Sequence, residues 1–225
     1  MKGYTRPITL IVIILLIDQI SKFWVKLNMT IGQDIKVLGD KFLIHFIENP
    51  GMAYGMEFGG EYGKLFLSTF RILAVIGIGY GLHYMVKNKY NRGFILNVAL
   101  IFAGALGNII DSVFYGVIFD KGTTFSPEIG SWIGYSGVAK ADFSGYSSLM
   151  HGCVVDMLYF PLIESRFPSW FPIWGGEHFL FFRPVFNIAD SAISVGVFLI
   201  LIFQKRYFKE EHKEKESVHS EVVED

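Results

Sequence analysis

Four long apolar stretches, at about 8–27, 64–86, 94–115 and 185–206, constrain this chain more than any other feature. Each has the roughly 20 residues that a helix needs to cross the hydrocarbon core of a bilayer. A chain in hydrocarbon must satisfy its backbone polar groups internally, and a helix does so. The predicted fold class is a polytopic α-helical membrane protein with four transmembrane helices. Composition agrees, with 52% hydrophobic and 18% charged residues, a balance uncommon in soluble domains. The first stretch follows Lys2 and Arg6 as a secretory signal would. No small-residue cleavage site follows, and the apolar pattern runs past Asp18 to Trp24 and Val25, so it reads as a retained helix.

Basic residues in short segments set the expected orientation. Lys2 and Arg6 precede helix 1, Lys87, Lys89 and Arg92 lie between helices 2 and 3, and Lys205, Arg206 and Lys209 follow helix 4. All fall on one side, predicting cytoplasmic N and C termini. The segments 28–63 and 116–184 then face outward. Short alternating runs at Ile35–Leu38 and Phe42–Ile47, around Gly39-Asp40, predict a small extracytoplasmic β unit at about 30–58. The second outer segment is an extended loop rich in Gly, Ser, Pro and aromatics, and loops of that length are usually functional or mobile. Residues 1–208 form a single membrane domain in this reading, and 209–225 a disordered charged tail.

Charge inside a span is costly and asks for a reason. With helices 1 and 3 running outward and 2 and 4 inward, Asp18, Lys22, Arg71, Asn108, Asp111, Asn187 and Asp190 all come to the outer half. Asp18 and Lys22 share a helix face at i,i+4 and can pair. Asn108 with Asp111, and Asn187 with Asp190, are spaced i,i+3, so each couple can aim at one point. Paired charges gluing helices together would be the structural alternative. Gly77 with Gly81, and Ala103 with Gly107, have the spacing of close-packed helix seams.

Two carboxylates aimed at one water can hydrolyse an amide, because close carboxylates share a proton and so supply a base and an acid together. Asp190 is the natural first member, and the second is expected from the loop after helix 3. Cys153, two residues after His151, reads as a small apolar filler rather than a nucleophile. The histidines lack metal-ligand spacing and the serines lack a G-x-S-x-G setting. A net charge of −1 gives no case for nucleic acid.

At these residues the sequence resembles the lipoprotein signal peptidases (signal peptidase II). Helix 1 carries D-Q-I-S-K (Asp18 to Lys22), the first outer loop N-P-G-M-A (Asn49, Gly51, Ala53), and helix 3 G-A-L-G-N-I-I-D (Gly104 to Asp111). The second outer loop carries G-C-V-V-D-M (Gly152 to Met157), and helix 4 begins F-N-I-A-D (Phe186 to Asp190). The resemblance implies a cofactor-free aspartic peptidase of the bacterial cytoplasmic (inner) membrane, with its active site on the extracytoplasmic side. It would act on diacylglyceryl-modified prolipoproteins, cutting before the lipidated cysteine. The implied catalytic pair is Asp156 and Asp190, with Asp18, Lys22, Asn49, Gly51, Asn108, Asp111 and Asn187 in support. Membrane lipid and the precursor are the implied partners, and a self-sufficient bundle favours a monomer.

Two places depart from the family pattern. Ser112 stands where the family usually has Arg, and Arg166 or Arg183 are the candidates to replace it. The family places its first catalytic Asp soon after helix 3, where this chain has G-V-I-F-D ending at Asp120. The later run ending at Asp156 is the closer match, which makes about 117–150 an insertion. A small proton-coupled transporter is one rival, needing a polar path through an inner half that is apolar apart from Asn97. A non-catalytic membrane assembly factor is another.

Overall fold

A computed structural model describes residues 3–51, 60–161, 163–166, 170, 176, 178–181 and 185–223; at 60–61, 163–166, 178–181 and 208–223 it describes the backbone alone. Four long helices dominate: α1 (Thr5–Asn28), α2 (Gly60–Lys87), α3 (Arg92–Ile118) and α4 (Ile188–Val223). Each contains a stretch long and apolar enough to cross a membrane. Large apolar side chains point away from the protein along them, among them Ile20, Phe66, Leu73, Ile76 and Tyr80. Such a surface suits lipid rather than water.

Local chemistry explains the boundaries. Pro7 sits in the first turn of α1, where a missing N–H leaves no gap. Lys89, just after α2, has a left-handed φ of 55°. The Asn91 side chain then caps α3, accepting the N–H groups of Gly93 at 2.9 Å and Phe94 at 3.3 Å. Helix 4 begins at Ile188 rather than near 185, because Val185 and Phe186 form a short strand. It also departs from the sequence reading at its far end. The span closes near Tyr207 as expected, but the helix continues through the charged tail to Val223. No Gly or Pro follows Gly196 to stop it, and Glu211 stands i,i+4 before Lys215, which favours helix.

The chain divides into two compact units. The first comprises Met1–Gln19, Leu67–Ile110 and Ile188–Asp225. Its core gathers Leu82, Val86, Ile95, Val98 and Ala99. The Gly77 and Gly81 pair builds no seam, since nothing described lies within 4 Å of where their side chains would begin. Gly107 does: a Cβ there would stand 2.7 Å from Asp18 Oδ2 and 3.3 Å from Ala189 Cβ.

The second unit comprises Ile20–Phe66 and Asp111–Asn187. It holds an antiparallel sheet of β1 (Asp34–Leu38), β2 (Phe42–Asn49), β5 (Val154–Tyr159) and β8 (Val185–Phe186), in the order β1-β2-β5-β8. The β unit expected from segment 28–63 is therefore completed by β5 from segment 116–184 and by β8, which precedes helix 4. Two further antiparallel pairs are β3 (Thr124–Ser126) with β4 (Ser131–Ile133), and β6 (Ile163–Arg166) with β7 (His178–Phe181).

Candidate active site

Strand β5 carries Asp156, which is 3% exposed. Its register on β2 pairs Asp156 with Ile47, Val155 with Glu48 and Val154 with Asn49. Alternate residues of a strand point to opposite faces, so Asp156, Ile47 and Asn49 share one face and Glu48 and Val155 the other. Two amides donate to the Asp156 carboxylate: Asn187 Nδ2 to Oδ1 at 2.7 Å and Asn49 Nδ2 to Oδ2 at 3.4 Å. Asn187 also donates to the Val155 carbonyl at 3.3 Å. Asn49 is held in turn, since its Oδ1 accepts the Gly51 N–H at 2.8 Å. Gly51 has φ 106°, a region that favours glycine, and this explains its place in the motif.

Behind this strand stands a buried ion pair. Lys22 Nζ lies 2.8 Å from Asp111 Oδ2, both side chains being 0% exposed. Asp111 Oδ2 also accepts the Val155 N–H at 3.3 Å. Asp111 thus fixes the residue preceding Asp156, and Lys22 balances the charge of Asp111. Ser112, next along α3, is buried with its hydroxyl unbonded among the described residues. The chain returns against this turn: the Gly152 N–H donates to the Ser112 carbonyl at 2.9 Å. Arg183 lies outside the described residues, and of Arg166 only the backbone in β6 is described.

The first unit holds the other carboxylate. Asp190 is half-buried in the first turn of α4, where the helix dipole favours negative charge. Asn108 Nδ2 donates to its Oδ1 at 2.8 Å. Asp18 is fully buried and accepts the Ala189 N–H at 2.9 Å, satisfying a first-turn donor of α4. Gln19 Nε2 donates to Asp18 Oδ2 at 3.0 Å and to the Gly107 carbonyl at 3.3 Å. The described contacts make Asp18 a cap for the helix that carries Asp190.

Two competing residues are otherwise engaged. Asp120 Oδ1 accepts the Lys140 N–H at 2.6 Å, and the Asp120 N–H donates to the Lys140 carbonyl, so this aspartate closes a loop. Cys153 is 1% exposed and its thiol donates to the Thr123 carbonyl at 3.3 Å. Burial pushes that thiol up to about 12, far from the thiolate a nucleophile needs. His151 Nδ1 lies instead 2.9 Å from Ser148 Oγ.

A model of the signal peptidase (SPase) II family matches residues 10–205. This chain belongs to the signal peptidase II family. A lipoprotein signal peptidase of Porphyromonas gingivalis is 50% identical over 201 residues, covering 88% of this chain and 81% of that protein. One from Amoebophilus asiaticus is 35% identical over 215 residues, covering 92% and 82%. A solved bacterial membrane enzyme superposes with a TM-score of 0.55 at 26% identity, over 89% of this chain and 88% of that one. Membership makes the chain a multi-pass membrane protease of the signal peptidase II type.

The sequence reading missed Lys26 and Glu48, a second buried ion pair in the unit that carries Asp156. A signal was present. Lys26 continues the i,i+4 stripe of Asp18 and Lys22 along α1, and Glu48 is a charge one residue before Asn49 at the end of an apolar strand.

Proposed function

We propose that this enzyme removes the signal peptide from diacylglyceryl-modified prolipoproteins, cutting before the lipidated cysteine, with Asp156 and Asp190 as the catalytic pair. The observation that carries the pair is that each carboxylate is held by an asparagine amide, Asn187 for Asp156 and Asn108 for Asp190. Asn187 stands only three positions before Asp190 in the chain. The names of the relatives supply the substrate class.

In the proposed mechanism one aspartate is ionised and takes a proton from water as the water oxygen attacks the scissile carbonyl. The other is protonated and gives its proton to the carbonyl oxygen. The tetrahedral intermediate collapses, the C–N bond breaks, and the leaving amine of the lipidated cysteine takes a proton from the pair. Asn187, Asn49 and Asn108 hold the carboxylates in place, which contributes through orientation. Asp111 with Lys22 fixes the backbone at Val155, and Asp18 fixes the start of α4. The membrane would be the bacterial inner membrane, with the pair at its extracytoplasmic side. The transporter reading loses support at Asn97, whose amide is taken up by the Tyr207 hydroxyl at 2.9 Å.

The test is cleavage of a diacylglyceryl-modified precursor by the purified protein in detergent, followed by mass. The parent and Asp120→Asn should release the signal peptide, and Asp156→Asn and Asp190→Asn should not. Loss with Asp120→Asn and survival with Asp156→Asn would move the pair upstream, and no cleavage by folded parent would reject the activity.

A further inference from the structure

On the face of β2 opposite Asp156 lies a group of side chains that the proposed mechanism does not use. The Lys26 ammonium pairs with the Glu48 carboxylate, at 1% and 0% exposure. Glu48 Oε2 also accepts the Thr123 N–H at 2.6 Å, and Tyr135 donates its hydroxyl to Oε1 at 3.4 Å. Three rings surround the ammonium: Phe119 at 4.9 Å, Tyr135 at 5.1 Å and Tyr146 at 5.2 Å. The Tyr146 hydroxyl accepts the Cys153 N–H at 2.8 Å, just where the chain enters β5. Burial holds the Tyr146 hydroxyl well above its ordinary range, so it stays neutral.

Among the described residues, the rings and hydrogen-bond partners around Lys26 and Glu48 come from residues 119–146. The end of that stretch is tied back to α3 and the residue after it. Phe143 N–H donates to the Ile118 carbonyl, Tyr146 N–H to Phe119, Ser147 N–H to Gly116 and Met150 N–H to Val113. A segment bonded in this way is not built as a free gate. Its inward polar groups converge on two points, the Glu48 carboxylate and the Cys153 N–H. Glu48 immediately precedes Asn49, the amide donor to Asp156, and Cys153 lies three residues before Asp156.

We propose that the 119–150 segment is a brace for the strand that carries Asp156, and that Glu48 is its positioning residue. Glu48 touches no reacting atom. It ties β2 to α1 and to the segment from behind, and so fixes where Asn49 presents its amide to Asp156. A buried ion pair in a ring of aromatics suits this task, because it is satisfied in one geometry and costly to leave half-made. The role of Glu48 in turnover rests on the peptidase reading; its role in holding β5 does not.

The experiment compares the full-length parent with Glu48→Ala, Tyr135→Phe and the charge-neutral double variant Lys26→Met/Glu48→Gln. Two readouts are taken: kcat and KM on the lipid-modified precursor, and hydrogen exchange of peptides spanning 153–159. Glu48→Ala should lower kcat by at least about tenfold, as small misplacements of reacting groups do. Its KM should stay within about twofold, the split expected when substrate binding is untouched. Exchange at 153–159 should quicken. The double variant keeps an acceptor for Thr123 and a filler for the aromatic ring, and should recover most of kcat and protection. Tyr135→Phe, which deletes one hydroxyl and keeps the ring, should show the same changes in smaller measure. Unchanged exchange at 153–159 in folded Glu48→Ala, or in Tyr135→Phe should Glu48→Ala not fold, would overturn the brace. Quickened exchange with parental kcat would overturn the positioning role. A parent that cleaves nothing would sink the peptidase reading, and the exchange data would still decide the brace.

Discussion

Asp156 and Asp190 are held alike and built differently. Each takes a hydrogen bond from an asparagine amide, at 2.7 Å and 2.8 Å. Asp190 sits in the opening turn of a long helix, half-buried, with the helix dipole in its favour and Asp18 capping the same turn. Asp156 sits mid-strand and almost fully buried, and depends on contacts gathered from far along the chain: Asn49, Asp111 and Asn187. A carboxylate on a helix start has the dipole of its own helix to add to its distant partners, Asn108 and the Asp18 cap. One on a short strand needs a scaffold, and this chain spends two buried ion pairs and a long loop segment on it.

The comparison can be broken most severely at the carboxylates themselves. Asp156→Asn and Asp190→Asn should each lower kcat by about 10²–10⁴-fold, the usual yield of a positioned acid or base. A large loss at one and a small loss at the other, in a steady-state assay, would make the two unequal partners. Next comes the scaffold. Lys22→Met leaves Asp111 buried without its cation, and should cost about 3–5 kcal/mol in denaturant unfolding. Asn108→Ala, beside the half-exposed Asp190, should cost far less in the same measurement. The amides sharpen the contrast further. Asn187→Ala should reduce turnover by about 1–3 kcal/mol of transition-state stabilisation and Asn108→Ala by the lower end of that range, because the more buried carboxylate has less access to water as a substitute.

The smallest effect concerns Cys153. Its thiol ordinarily titrates near 9.0 and is pushed up to about 12 by burial. Maleimide at pH 8 should leave it unlabelled until the protein unfolds. The folded state holds this proton more tightly, so the thiol's contribution to stability is present below pH 9 and is lost as pH rises from 9.0 towards about 12. Ready labelling of native protein would mean that β5 is open on that side.

What the sequence made legible divides along the same line. Four spans and the helix-borne residues Asp18, Lys22, Asn108, Asp111 and Asp190 follow from hydropathy and a period of 3.6, both local signals. Asp156 was reached through motif resemblance, because strand register depends on partners far away in sequence. The pairing of β2 with β5 sets residues 42–49 against 154–159, a separation no local pattern encodes. The insertion at about 117–150 reads as part of an extended loop for the same reason. Its glycines and serines are visible in the chain, whereas the meeting of Thr123, Tyr135 and Tyr146 around Lys26 and Glu48 is not. The helical continuation past Tyr207 was open to prediction from its Glu and Lys content and lack of breakers, but the charge density argued for disorder.

The central claim is that the two aspartates work as one device on one water. The most direct measurement is single-turnover cleavage of the lipid-modified precursor by Asp156→Asn, Asp190→Asn and the double variant, each checked for folding. Residues that act as a unit are strongly non-additive, so the double variant should be no slower than the worse single variant, within about twofold. Losses that multiply would mean that Asp156 and Asp190 act at separate steps, and would contradict the account.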